Sequence, residues 1–161
     1  MLPVWRYTAN SQATANLTHG RHAGMSDFGT ELARLMAARG LGVRELARRA
    51  EASDVGNGTC EWLELAVDDL ATAYPRSAPG DLLPRIRTHL AYTTRLLDSR
   101  TTLGQRQRLM VSGGWLSLLA ATLLIDQHRD HAASAYLRTA MQLARETGHT
   151  EIAAWCAETR A

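Results

Sequence analysis

The amino-acid sequence predicts an all-α fold on three observations. Apolar residues recur at intervals of three and four from Phe28 onward, which is the spacing of one helix face. No stretch shows the apolar–polar alternation of a strand, and Gly- or Pro-containing segments separate the periodic stretches. With 161 residues, of which 45% are hydrophobic, the chain can bury one core, or one small unit attached to a larger one.

Residues 1–24 have neither helical nor strand periodicity and are rich in Thr, Asn, Ser, Gly and His. This composition predicts a flexible leader. A second methionine, Met25, stands directly before Ser26 and Asp27, either of which can cap a helix. We therefore hypothesise that translation starts at Met25 and that residues 1–24 are not part of the native protein.

Two short helices are predicted between residues 25 and 50. The first carries an apolar stripe from Phe28 to Met36 and ends at Gly40. The second, "VRELARRA", follows the turn "GLG" and places its arginines mostly on the face opposite its apolar residues; these arginines are Arg44, Arg48 and Arg49. Residues 51–58, "EASDVGNG", are irregular and contain two glycines, each costing about 1 kcal/mol relative to Ala inside a helix. They are predicted to be a linker.

The region 59–161 is predicted to be helical throughout. "CEWLELAVDDLATAY" has an apolar repeat and ends at a proline; its members are Trp62, Leu65, Ala66, Leu70 and Ala73. "DLLPRIRTHLAYTTRLLDSR" forms the next helix, with Asp81 as its cap and Pro84 in its first turn. Further helices are predicted at about 101–110, 113–127, 131–147 and 149–161, and the glycines of "VSGG" are expected to allow close helix approach.

A weak internal repeat appears when "WLSLLAATLLID" is aligned with "EIAAWCAETRA", so that Leu119 meets Trp155 and Ala121 meets Ala157. The small and large residues between them resemble a tetratricopeptide-like (TPR-like) helical hairpin. An ordinary helical bundle is the alternative. A TPR-like array that is incomplete at its C-terminus would expose Ile152 and Trp155, or cover them with another protomer, which predicts an association surface there.

"FGTELARLMAARGLGVRELARRA" resembles the opening of the XRE-type (Cro/C1-like) helix-turn-helix domain. From "CEWLELAVDDLATAYP" onward the chain resembles the TPR-like region of a high-GC bacterial subgroup of those regulators. The resemblance implies a cytoplasmic, dimeric, DNA-binding transcriptional regulator with a sensing or interaction region. In that family the first helix of the motif lies across the DNA backbone, so phosphate contacts are implied for Arg44, Arg48 and Arg49.

The family pattern would continue into a recognition helix where this chain has "EASDVGNG". A recognition helix needs several side chains that reach base edges, and Asn57 alone does not provide them. The sequence therefore predicts a truncated, partial helix-turn-helix over 25–50, with weak, non-specific DNA binding. A solvated helix face is the alternative for the three arginines. For the whole chain the alternatives are a protein-interaction module that pairs with a related regulator, or a truncated remnant.

Other functions find little support in the sequence. The net charge of +2 is too small to demand a polyanionic partner. Neither a phosphate-binding loop nor a G-x-S-x-G motif occurs, so we expect no enzyme and no cofactor. His128 and His131 lack further ligands, which predicts no metal site. The apolar run from Leu109 to Ile125 falls short of a membrane span, and two cysteines that form no spaced pair fit a reducing, cytoplasmic location.

Overall fold

The computed structural model describes residues 51–159 together with Arg34, Glu45, Ala47 and Arg48. The chain divides into two compact units, residues 1–52 and 53–161. The four described residues before position 51 are all helical. The predicted leader and most of the partial helix-turn-helix, including Arg44 and Arg49, lie outside the described residues.

The second unit contains five α-helices within its described part, and no strand occurs there. The prediction of an all-α fold is confirmed. The helices, numbered in chain order, are α1 (Asn57–Ala73), α2 (Pro79–Asp98), α3 (Leu103–Asp126), α4 (Asp130–Thr147) and α5 (Thr150–Glu158), with a 3-10 turn at Tyr74–Arg76 after α1.

The central helix is α3, which contacts each of the other four α-helices. α3 packs against α1 on one side and against α5 on the other. α2 packs across the interface between α1 and α3, and α4 packs across the interface between α3 and α5. This alternation is how stacked helical hairpins bury a shared core. α3 also has the length and composition of a membrane span, but 72% of its apolar window is buried inside the structure, and core helices commonly pass the same test.

α3 is one unbroken helix of 24 residues, whereas a break near residues 111–112 was predicted; that prediction is wrong. The glycine pair is buried, and its role is close packing, as expected. A Cβ atom on Gly113 would lie 3.4 Å from Leu143 Cδ1, and one on Gly114 would lie 3.0 Å from Ile152 Cδ1. The tertiary contacts outweigh the cost of about 1 kcal/mol that glycine imposes inside a helix.

Ile152 was expected to be exposed, and this expectation is wrong. Its side chain is fully buried, because Gly114 lets α5 approach α3 closely. Trp155 is partly buried. The repeat alignment that suggested the exposure also pairs Leu116 with Ile152 and Ala120 with Cys156, and all four of these side chains are buried.

Residues 53–58, predicted to belong to a linker, form part of the second unit. Val55 is buried in a cluster with Cys60, Leu63 and Leu109. α1 already begins at Asn57, so the helix includes the second of the two glycines. Burial of Val55 and the hydrogen bonds of Gln105 fix this segment, which composition alone had marked as irregular.

Gln105 holds the segment in place. Its Nε2 donates hydrogen bonds to Val55 O at 2.8 Å and Asn57 Oδ1 at 3.2 Å, and its Oε1 accepts one from Ser53 Oγ at 2.5 Å. Gln105 also forms a reciprocal capping box with Thr102 at the start of α3. The buried side chain of Gln105 therefore caps the start of α3 and also holds the segment 53–57 against it.

α2 begins two residues before its predicted cap. Ala78 is the N-cap residue, and Asp81 lies in the first turn, where a negative charge is favourable. Pro84 is inside the helix without interrupting it.

Candidate interaction groove

A groove with a volume of about 310 Å³ runs between α1 and α2. We call it the α1–α2 groove, and it is lined by Trp62, Leu65, Ala66, Asp69, Leu70, Arg85 and His89. The α1 residues are spaced by three and four, so they form one stripe along that helix. Trp62 is 51% exposed and Leu65 64% exposed, which makes them two of the three large apolar side chains on the described surface.

Aromatic contacts line the end of the groove nearest the start of α1. The ring centroid of Trp62 lies 5.3 Å from that of His89 and 5.7 Å from that of Tyr92, the latter in an edge-to-face arrangement. The guanidinium of Arg95 lies 5.7 Å from the centroid of Tyr92, within cation–π distance. These contacts hold the half-exposed indole against α2 and reduce the conformational freedom that it would lose on binding.

His89 contributes a neutral ring to this surface at pH 7. Burial lowers the pKa of His89, and the nearby positive charge of Arg85 lowers it further. The imidazole therefore adds no positive charge to the groove.

The two helices that form the groove carry opposite charges. α1 contains four acidic residues and no Arg, Lys or His. Glu61 and Asp69 are exposed next to Trp62 and Leu65, while Arg85 and Arg95 are exposed on α2. We call the exposed Glu61 and Asp69 on α1 the acidic bank of the groove, and the exposed Arg85 and Arg95 on α2 its basic bank.

A second set of contacts fixes α1 to α3. The guanidinium of Arg108 donates two parallel hydrogen bonds to the carboxylate of Glu64, at 2.7 and 2.8 Å. At the other end of α1, Tyr74 Oη donates a hydrogen bond of 2.5 Å to Asp126 Oδ2. These contacts, together with the packing of Leu63 near Leu109, position α1 against α3 and leave Trp62 and Leu65 exposed.

The apolar repeat found in the sequence of α1 differs from the core face of that helix. Trp62 and Leu65 belong to the repeat but are exposed, whereas the core face consists of Cys60, Leu63, Val67 and Leu70. Both sets have helical spacing, so α1 carries two apolar stripes that overlap at Leu70. Two apolar stripes on one helix were the signal that one of them faces away from the core.

Of the residues predicted to contact DNA phosphates, only Arg48 is described. It is helical and its side chain is 74% exposed, and it pairs with Glu45 through two contacts of 2.8 and 2.9 Å. A DNA phosphate would have to compete with this carboxylate for the guanidinium. At the other predicted site, Ile152 is unavailable to a partner because it is buried.

The described residues contain no group of three or more His, Cys, Asp or Glu side chains that could hold a metal ion. His128 adopts a positive φ of 57° two residues after the last residue of α3, where it helps to end the helix. Both cysteines are buried thiols, and burial raises the pKa of Cys60, which disfavours the reactive thiolate.

Comparison with protein-family models, with curated proteins and with solved structures finds no match for this chain.

Proposed function

We propose that this chain is a helical interaction module, within an XRE-like regulator, that binds another protein surface through the α1–α2 groove. The exposure of Trp62 and Leu65 beside this groove carries the proposal. Both side chains would bury most of their remaining apolar area on binding, which is the main favourable term in protein association. Tryptophan is also among the residues that most often dominate interface energies.

The charges around the apolar side chains support the same function. Protein interfaces commonly have an apolar centre and a polar rim, and rim charges select the partner more than they add affinity. Here Asp69 and Arg85 lie on opposite banks of the groove. A partner therefore needs an apolar strip flanked by basic groups on one side and acidic groups on the other.

Site-specific photocrosslinking in the cells that carry the gene tests this proposal. A benzoylphenylalanine residue placed at Leu65 should give a discrete crosslinked protein, identified by mass spectrometry. The same group placed at Arg138, an exposed position on α4, is the control. Equal crosslinking at both positions, or none at Leu65, would refute the groove as a binding site.

A second candidate function, DNA binding by the first unit, rests on the exposure of Arg48 and on the resemblance of residues 28–50 to a helix-turn-helix. Phosphate contacts without base readout give weak binding that falls steeply with salt, with dissociation constants on the order of 10⁻⁴ to 10⁻⁶ M. We expect no sequence-specific complex.

Electrophoretic mobility shifts on promoter DNA at about 0.15 M salt decide the matter. Sequence-specific retention would contradict the predicted truncation of the DNA-reading unit. If only non-specific binding occurs, Arg48→Ala should reduce the slope of the logarithm of affinity against the logarithm of salt concentration by about one. An unchanged slope would show that Arg48 does not contact the DNA phosphates.

A further inference from the structure

We infer that the occupant of the α1–α2 groove is the same groove of a second copy of this chain, joined about a two-fold axis parallel to α1 and α2. The inference rests on the proposed function and names its partner. Its basis is the arrangement of charge and apolar surface along the two helices.

The two helices run in opposite directions along the groove. Trp62, near the start of α1, touches His89 and Tyr92 in the second half of α2, whereas Asp69 and Arg85 line the other end. Two of the four acidic residues of α1 therefore lie at heights close to those of basic residues of α2. Glu61 lies near the level of Arg95, and Asp69 lies near the level of Arg85.

The spacings of the two banks are similar. Positions 61 and 69 are separated by about 12 Å along α1, and positions 85 and 95 by about 15 Å along α2, at a rise of about 1.5 Å per residue. Two pairs of opposite charges can therefore form at once, with the half-exposed indole between them.

A two-fold axis parallel to the helices keeps heights unchanged and exchanges the two banks. The acidic bank of one copy then faces the basic bank of the other, so that Asp69 meets the partner's Arg85 and Glu61 meets the partner's Arg95. An axis across the helices would place acid against acid, which is repulsive. Charge thus selects one of the two face-to-face arrangements.

The selected arrangement brings the apolar side chains together near the axis. Trp62 and Leu65 of both copies meet between the charged banks. The two antiparallel helix pairs pack face to face as a four-helix bundle. The contact is isologous, so every favourable pair occurs twice. Because each groove is occupied in such a dimer, no further copies can be added through it.

Charge exchange in the full chain tests the inference by sedimentation equilibrium. We expect the wild type to be a dimer, and Asp69→Arg and Arg85→Asp each to raise the dissociation constant at least about tenfold. Each single variant opposes like charges at two symmetry-related places. Circular dichroism checks that both variants fold, and Arg138→Asp on α4 is the matched control, which should leave the dimer intact.

Mixing the two variants provides the decisive measurement. In the mixed dimer, Arg at position 69 of one copy meets Asp at position 85 of the other, and the remaining pair is the native one. We expect the mixture, and also the double variant D69R/R85D, to regain the wild-type dissociation constant. Failure to regain it, or a wild type that stays monomeric at about 100 µM, would overturn the inference.

The photocrosslink at Leu65 separates this inference from the proposed function. A crosslink between two copies of the chain supports both. A crosslink to a different protein, with a monomeric wild type, would overturn the second-copy inference and leave the interaction module standing. Absence of any crosslink at Leu65 would overturn both.

Discussion

The α1–α2 joint and the α3–α5 joint are built from similar helices but pack in different ways. Between α3 and α5, Gly114 brings the helices together, and Ile152 fills the space completely. Between α1 and α2, bulky side chains such as Trp62 and Tyr92 meet along part of the length, and a groove of about 310 Å³ remains open. The small residue Gly114 allows α3 and α5 to pack closely, whereas the aromatic residues between α1 and α2 leave a surface that another molecule can contact.

The largest expected difference between the joints concerns their apolar side chains. Ile152→Ala should lower the free energy of unfolding by about 3 kcal/mol, because it removes a fully buried side chain and leaves a cavity. Trp62→Ala should cost about 1 kcal/mol or less, because half of that side chain already contacts water. Urea unfolding followed by circular dichroism measures both. Equal losses would erase the distinction between the two joints.

A smaller effect is expected from filling the close contact in α3. Gly114→Leu should destabilise the fold by about 2 kcal/mol, since even its Cβ meets Ile152 at 3.0 Å. Gly104→Leu is the matched control in the same helix, where a Cβ has no neighbour within 4 Å. It should be stabilising by up to about 1 kcal/mol, since glycine has the lower helix propensity. A stable Gly114→Leu variant would show that the joint can open.

The smallest effect concerns Asp68 on α1, whose Oδ1 is buried and has no hydrogen-bond partner among the described residues. Burial raises the pKa of Asp68, and the charges of Asp69 and Glu64 raise it further. Ionisation therefore costs stability in the folded state as the pH rises above about 3.8, the ordinary value.

Asp68→Asn should accordingly be more stable than the wild type by a few tenths of a kcal/mol at pH 7, because solvent screens a partly exposed carboxyl. The advantage should disappear below the ordinary pKa, where the wild-type carboxyl is protonated in both states. Urea unfolding at pH 3 and pH 7 compares the two proteins. An advantage that persists unchanged at pH 3 would assign the effect to packing instead of ionisation.

Helix type was predictable from sequence because apolar spacing and Pro or Gly punctuation are local signals. The positions of Pro79 and Leu103 as helix starts differ by a few residues from those expected, since caps depend on contacts across the fold. The continuity of α3 through Gly113 was not predictable in this way. Its glycines are justified only by Leu143 and Ile152, which lie far along the chain.

The candidate site was less predictable than the fold. Trp62 and Leu65 have the same spacing as a core stripe, and only packing against α3 decides which stripe of α1 is buried. Burial of Ile152 likewise depends on the glycine opposite it. The charges of the two banks were visible in the sequence, but their matching heights follow from the antiparallel pairing of α1 and α2.

The hydrogen bonds of Gln105 determine where a protease can cleave the chain without destabilising the second unit. Because the same side chain caps α3 and holds Ser53 and Val55, local opening at this point would release both segments in one step. A protease that cleaves just before Ser53 would leave the fastening intact. Cleavage three residues later, after Val55, would detach Val55, expose Leu63 to water and leave the start of α3 free to fray.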